Sequence, residues 1–130
     1  MLPFIRKVNY YECDAMGVVH HSNYLRYMEE ARIDRLARLG YDFASLASEG
    51  IVSPVVSLEC RYLKPAGISD TLEIDVRVES LTAFKLTLSY VMTSRGTKVF
   101  EGSSVHCFLK DGRPLEIASR FPLLANTLTR

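Results

Sequence analysis

The chain has 130 residues, of which 48% are hydrophobic and 24% charged, with a formal net charge of +1. That length allows one domain with a real core and leaves no room for a second, so residues 1–130 are read as a single unit. The balance excludes a disordered polyelectrolyte, and without a Lys/Arg run or an aromatic-interleaved basic segment it excludes nucleic acid as a partner.

The chain opens with a short β-like run, Phe4, Ile5, Val8, Tyr10 and Tyr11, which stops at the turn signal Asp14-Ala15-Met16-Gly17. A helix over 23–39 follows, capped by Ser22 or Asn23, with Leu25, Met28, Leu36 and Leu39 at helical spacing and Gly40 as its stop. Arg26 with Glu30 and Glu29 with Arg32 stand at pairing distance along an outer face. A looser helical turn is expected from Asp42 to Ser48.

After Gly50 the period changes to two. Val52 to Leu63 is apolar and β-branched and ends at Lys64-Pro65-Ala66, where proline forbids further ladder pairing. From Thr71, Leu72, Ile74, Val76 and Val78 face one way and Glu73, Asp75, Arg77 and Glu79 the other; Phe84, Leu86, Leu88, Tyr90 and Met92 repeat the alternation. Arg95-Gly96 reads as a hairpin turn, and Lys98 to Lys110 as a last strand before Asp111-Gly112.

One strand, one long helix and four further strands joined by short links define an α+β architecture in which the antiparallel sheet wraps the helix. A single helix cannot cover the edges of five strands, so an exposed edge is expected to pair with a second copy of the chain. No apolar run approaches a membrane span, and MLPFIRKVNYYE lacks the apolar core of a signal peptide, so a cytoplasmic location is expected. Cys13, Cys60 and Cys107 are odd in number and never form CxxC, which favours small buried hydrophobes over disulfides or a zinc knuckle.

The most informative stretch is YYECDAMGVVHHSNYLRYMEEAR, residues 10–32, which crowds Asp14, Gly17, His20 and His21 just ahead of the helix. A free helix N-terminus offers unpaired N–H groups and partial positive charge, and a neighbouring carboxylate offers a base or nucleophile. Gly17 tolerates the positive φ of a tight turn, and His20 and His21 can line a pocket or move protons near neutral pH. As zinc ligands with Cys13 or Glu12 the two histidines fit no familiar spacing.

The segment DAMGVVHHSNYLRYMEEAR, together with YLKPA at residues 62–66 and the order of elements, resembles the hotdog-fold acyl-CoA thioesterases of the 4-hydroxybenzoyl-CoA thioesterase type. The resemblance covers nearly the whole chain. It implies a hotdog fold and an acyl-CoA substrate cleaved without a cofactor or metal; a homodimer or a dimer of dimers is expected from the topology. It implies Asp14 as the catalytic carboxylate and the backbone amide of His21 as donor to the thioester carbonyl; Gly17, Val19, His20 and Tyr24 are candidate substrate-binding residues. Arg61 and Lys64 are candidates for the CoA phosphates, with Lys110 and Arg113 behind them.

Other residues have plainer readings. His106 reads as a satisfied, partly buried strand imidazole, and Glu29 and Glu30 as ion-pair partners of the arginine-rich helix and not as a second catalytic carboxylate. Two rival functions share the scaffold: a hydratase or dehydratase using His21 with Asp14 as acid and base, and a non-catalytic acyl-CoA-binding module.

Overall fold

A computed structural model describes residues 2–127. The strands of the main sheet are β1 (Phe4–Lys7), β3 (Val55–Tyr62), β4 (Thr71–Leu81), β5 (Leu86–Ser94) and β6 (Thr97–His106). They pair antiparallel in the order β1-β4-β5-β6-β3. The long helix α1 (His21–Arg38) lies between β1 and the shorter α2 (Phe43–Ser48) in sequence. A small second sheet joins β2 (Ile51–Val52), β7 (Leu109–Lys110) and β8 (Arg113–Pro114), and the chain closes with α3 (Ile117–Arg120) and α4 (Pro122–Thr127).

The inward face of the sheet is the one the alternation specified: Leu72, Ile74 and Val76 of β4, Leu86, Leu88, Tyr90 and Met92 of β5 and Phe100 of β6 are buried with Tyr27, Met28, Ala31 and Leu36 of α1. Removing side chains of this size from water contributes roughly 1.5–3 kcal/mol each, which holds the helix against the sheet. The end of α1 is fixed by the backbone. Gly40 takes φ 93°, its N–H donates to Ala37 at 2.9 Å, and the Tyr41 N–H donates to Leu36 at 2.8 Å, a Schellman motif.

Several boundaries differ from the expectation. The apolar run at 52–63 is two strands, because Pro54 lacks an N–H and β2 turns away to pair with β7. The run at 98–110 also divides: after His106 the chain leaves the ladder and turns Phe108 into the core, where its ring lies 4.4 Å from that of Phe121. β5 starts at Leu86 and not at Phe84, since Thr82 to Lys85 form a turn closed by a 2.9 Å Thr82 N–H to Lys85 O bond. Tyr10 and Tyr11 leave β1 for a turn of 3-10 helix at Tyr10–Glu12.

The surface of α1 is also rearranged. Leu25 is exposed, and Arg26 does not pair with Glu30: it donates to the Asn23 side chain at 2.8 Å, and Glu30 receives Arg6 from β1 at 2.7 Å. Glu29 and Arg32 do approach, at 3.8 Å. All three cysteines are free thiols of intermediate exposure and not fully buried as expected, although Cys13 and Cys60 pack against the edge of the core. His106 is 1% exposed, more deeply buried than expected, and its Nε2 meets Ser104 Oγ at 2.6 Å in a chain continued by Tyr90 Oη at 2.7 Å.

Candidate active site

Residues 12–20 form a small hairpin between β1 and α1. Glu12 O accepts the His20 N–H at 2.9 Å, Cys13 pairs with Val19, and the Asp14 N–H donates to Val18 O at 2.8 Å. The turn at its tip needs Gly17, which has φ 77° and donates its N–H to Asp14 O at 3.0 Å. The Asp14 carboxylate accepts the Met16 N–H at 2.8 Å through Oδ1, an Asx turn that fixes the rotamer while the side chain remains exposed.

A second loop braces the hairpin. The Val19 N–H donates to Ala66 O at 2.8 Å, and Val18 bridges Gly67. The approach is close enough that a Cβ at position 67 would stand 2.7 Å from Gly17 O. Asp70 holds this second loop by accepting the Gly67 N–H at 2.7 Å and the Ser94 hydroxyl, and these two bonds hold its carboxyl below the ordinary range.

The helix starts two residues earlier than its serine and asparagine suggested. His20 is the N-cap: its Nδ1 accepts the Ser22 N–H at 3.2 Å, while the Asn23 N–H donates to His20 O at 2.9 Å. With those two amides engaged, the N–H of His21 is the first-turn donor without an acceptor among the described residues.

Asp14 and His21 line one open cavity of about 340 Å³ with Val18, Val19, Tyr24 and Tyr62, bordered also by Leu63, Lys64 and Pro65. Of the expected residues, the structure therefore brings together Asp14, Val19, His21, Tyr24 and Lys64. Gly17 borders an adjoining depression that shares Asp14. His20 lies outside both, its imidazole spent on the helix cap and tilted by 31° to that of His21, with ring centroids 4.2 Å apart. Arg61 is elsewhere: it reaches Glu101 at 3.5 Å and lines a depression on the outer face of the sheet with Glu59 and Ser103.

Tyr62 is a cavity residue the sequence reading passed over. Its ring packs edge-on against Tyr24 at 5.5 Å and His21 at 6.4 Å. The quoted YLKPA contains it, but whether Arg61 or Tyr62 faces inward depends on strand register. Among the described residues, no three His, Cys, Asp or Glu converge as a metal-binding group.

Asp14, exposed at the hairpin tip, and His21, the first residue of α1, thus line one small cavity. The model of the thioesterase-like superfamily matches residues 8–122, and the chain belongs to that family. It is a hotdog-fold enzyme of the thioester hydrolase class. A hypothetical protein of Thermus thermophilus superposes with a TM-score of 0.92 at 31% identity, covering 98% of this chain and 99% of that one. A DHNA-CoA thioesterase from Staphylococcus aureus superposes with a TM-score of 0.87 at 26% identity, covering 97% and 87%. The 1,4-dihydroxy-2-naphthoyl-CoA hydrolase of Thermosynechococcus vestitus is 34% identical over 92 residues, 70% of this chain and 63% of that protein.

Proposed function

We propose that the chain hydrolyses an acyl-CoA thioester to a free acid and CoA, with Asp14 as general base or nucleophile and the His21 N–H as donor to the carbonyl oxygen. The observation that carries this reading is that Asp14 and His21, the first residue of α1, line the same cavity. In the proposed step an oxygen, from water activated by Asp14 or from Asp14 itself, attacks the thioester carbon. Negative charge moves to the carbonyl oxygen, where the helix-start amide and the positive end of the α1 dipole stabilise it. Collapse of that intermediate breaks the C–S bond and CoA leaves as the thiolate, taking up a proton from solvent. If Asp14 attacks directly, water then hydrolyses the anhydride and restores the carboxylate.

Val19, Tyr24 and Tyr62 give the acyl group an apolar wall, and Lys64 at the rim supplies a charge for a CoA phosphate. The assembly we infer is a homodimer, or a dimer of dimers, joined through the open β3 edge, and the location is the cytoplasm. Replacing Asp14 by Asn should lower kcat by ~10²–10⁴-fold, the range for losing a positioned base, with an unchanged circular dichroism spectrum. The assay is thiol release from a panel of aliphatic and aromatic acyl-CoAs. Full turnover in the Asn variant would remove the mechanism, and an enoyl absorbance change without free thiol would indicate a hydratase instead.

A further inference from the structure

The catalytic pair proposed above has no direct side-chain link. The Asp14 carboxylate accepts amides of its own hairpin, Met16 at 2.8 Å and Val18 at 3.4 Å, whereas the His21 amide belongs to α1. Something must fix the hairpin to the helix, and Glu12 does so from both of its ends.

Glu12 is 3% exposed, two residues before Asp14. Its carboxylate accepts Arg6 Nη2 at 2.6 Å and Nη1 at 3.0 Å, the Asn9 N–H at 2.8 Å and the Tyr27 hydroxyl at 2.8 Å. Its main-chain carbonyl accepts the His20 N–H at 2.9 Å and the buried Asn23 side-chain amide at 2.8 Å. One residue thus ties β1, the start of the hairpin, the residue preceding His21, and the first two turns of α1. Arg6 extends the tie to Glu30 at 2.7 Å. Burial pushes the Glu12 carboxyl upward, but Arg6, the Asn9 amide and the Tyr27 hydroxyl outweigh it and hold the group below the ordinary carboxylate range, so it is a charged anchor at neutral pH.

We propose that Glu12 is a positioning residue for thioester hydrolysis: its buried carboxylate, held by Arg6 and Tyr27, sets the placement of Asp14 relative to the His21 amide. The inference rests on the Asp14 reading above. A rigid anchor is what such a pair requires, since a misplacement of about 1 Å can cost on the order of 100-fold in rate. Glu12→Gln keeps the shape and an acceptor for Asn9 and Tyr27 while weakening the double Arg6 contact, so the hairpin can shift without losing the helix.

The test measures kcat and KM by thiol release, with benzoyl-CoA and a medium-chain acyl-CoA, at a temperature well below each variant's Tm. Glu12→Gln is compared with Tyr27→Phe, which removes a single anchor bond, and with Gly40→Ala, a destabilised control at the far end of α1. Positioning predicts that Glu12→Gln loses ~10- to 100-fold in kcat with KM within about twofold, that Tyr27→Phe loses several-fold, and that Gly40→Ala retains kcat despite a lower Tm. If Glu12→Gln does not fold, the Tyr27→Phe kcat decides. Wild-type kcat in the folded Glu12 and Tyr27 variants, alongside an inactive Asp14→Asn, would overturn the positioning role alone. Full activity in Asp14→Asn would overturn the underlying reading and this inference with it.

Discussion

At the scale of single residues, placement of the carboxylate depends on two glycines as much as on Asp14. Gly17 makes the turn, and Gly67 lets the bracing loop approach, since any Cβ there would meet Gly17 O at 2.7 Å. Gly67→Ala should push the hairpin away from its brace and lower kcat by ~10-fold or more, measured by thiol release, with folding retained. The buried His106 predicts a distinct pH dependence. Burial, helped by the charge of Arg32, lowers its pKa from 6.5 to about 4. The folded state therefore keeps a neutral imidazole that the unfolded chain would protonate. The stability this carries, about 3 kcal/mol at most, is complete above pH 6.5 and is lost as the pH falls toward 4. Urea midpoints measured between pH 7 and 4.5 should slope downward in the wild type and flatten in His106→Gln. The turn that carries Asp14 was legible because Asp-Ala-Met-Gly is a local turn signal. Arg61 and Tyr62 were not. They are neighbours on one strand and point to opposite faces, so a choice between them requires the register, in which Tyr62 opposes buried Phe100 and Arg61 opposes Glu101.

At the scale of elements, α1 shows which signals are local. Gly40 was readable as the stop because a left-handed residue there closes the last turn whatever surrounds it. Nothing lies within 4 Å of a Cβ at position 40, so Gly40→Ala should cost only its conformational penalty, about 1 kcal/mol. A fall in Tm of roughly 4 °C by calorimetry, with unchanged kcat, is the expected result. The N-cap was not readable: Ser22 and Asn23 both favour that position, but the Glu12 carbonyl already engages Asn23, and His20 accepts the Ser22 amide instead. The ion pairs follow the same logic. Glu30 stands four residues from Arg26 yet takes Arg6 from β1, because the sheet brings a better-buried guanidinium against it.

At the scale of the whole molecule, β3 is the conspicuous element. It pairs with β6 on one side only, and Val55, Val56, Leu58 and Tyr62 along it are each between 44% and 50% exposed. Beside it, Leu25 and Met28 of α1 form an apolar groove with Val55 and Leu58. An unpaired apolar edge strand of eight residues is a template for antiparallel pairing with another copy. If that pairing forms the homodimer, Leu58→Lys should place a charge in the interface and shift sedimentation from twice the chain mass to the single-chain mass. Turnover should fall with the dimer, since Tyr62 on the same strand borders the cavity. A wild-type chain that sediments as a monomer at micromolar concentration would refute the assembly.

The sequence by itself determined the inward face of β4 and β5, the end of α1, the α+β layering and the turn that carries Asp14 ahead of a helix. These follow from side-chain alternation, from glycine's conformational freedom and from turn chemistry, which act within a few residues. Only the tertiary structure decided that Pro54 divides an apolar run between two sheets, that Phe108 leaves its strand for the core, that Tyr62 and not Arg61 borders the cavity, and that Glu12 anchors the hairpin. Each of those outcomes is settled by groups far apart in the chain competing for one partner or one buried volume, and spacing along the sequence carries no measure of that competition.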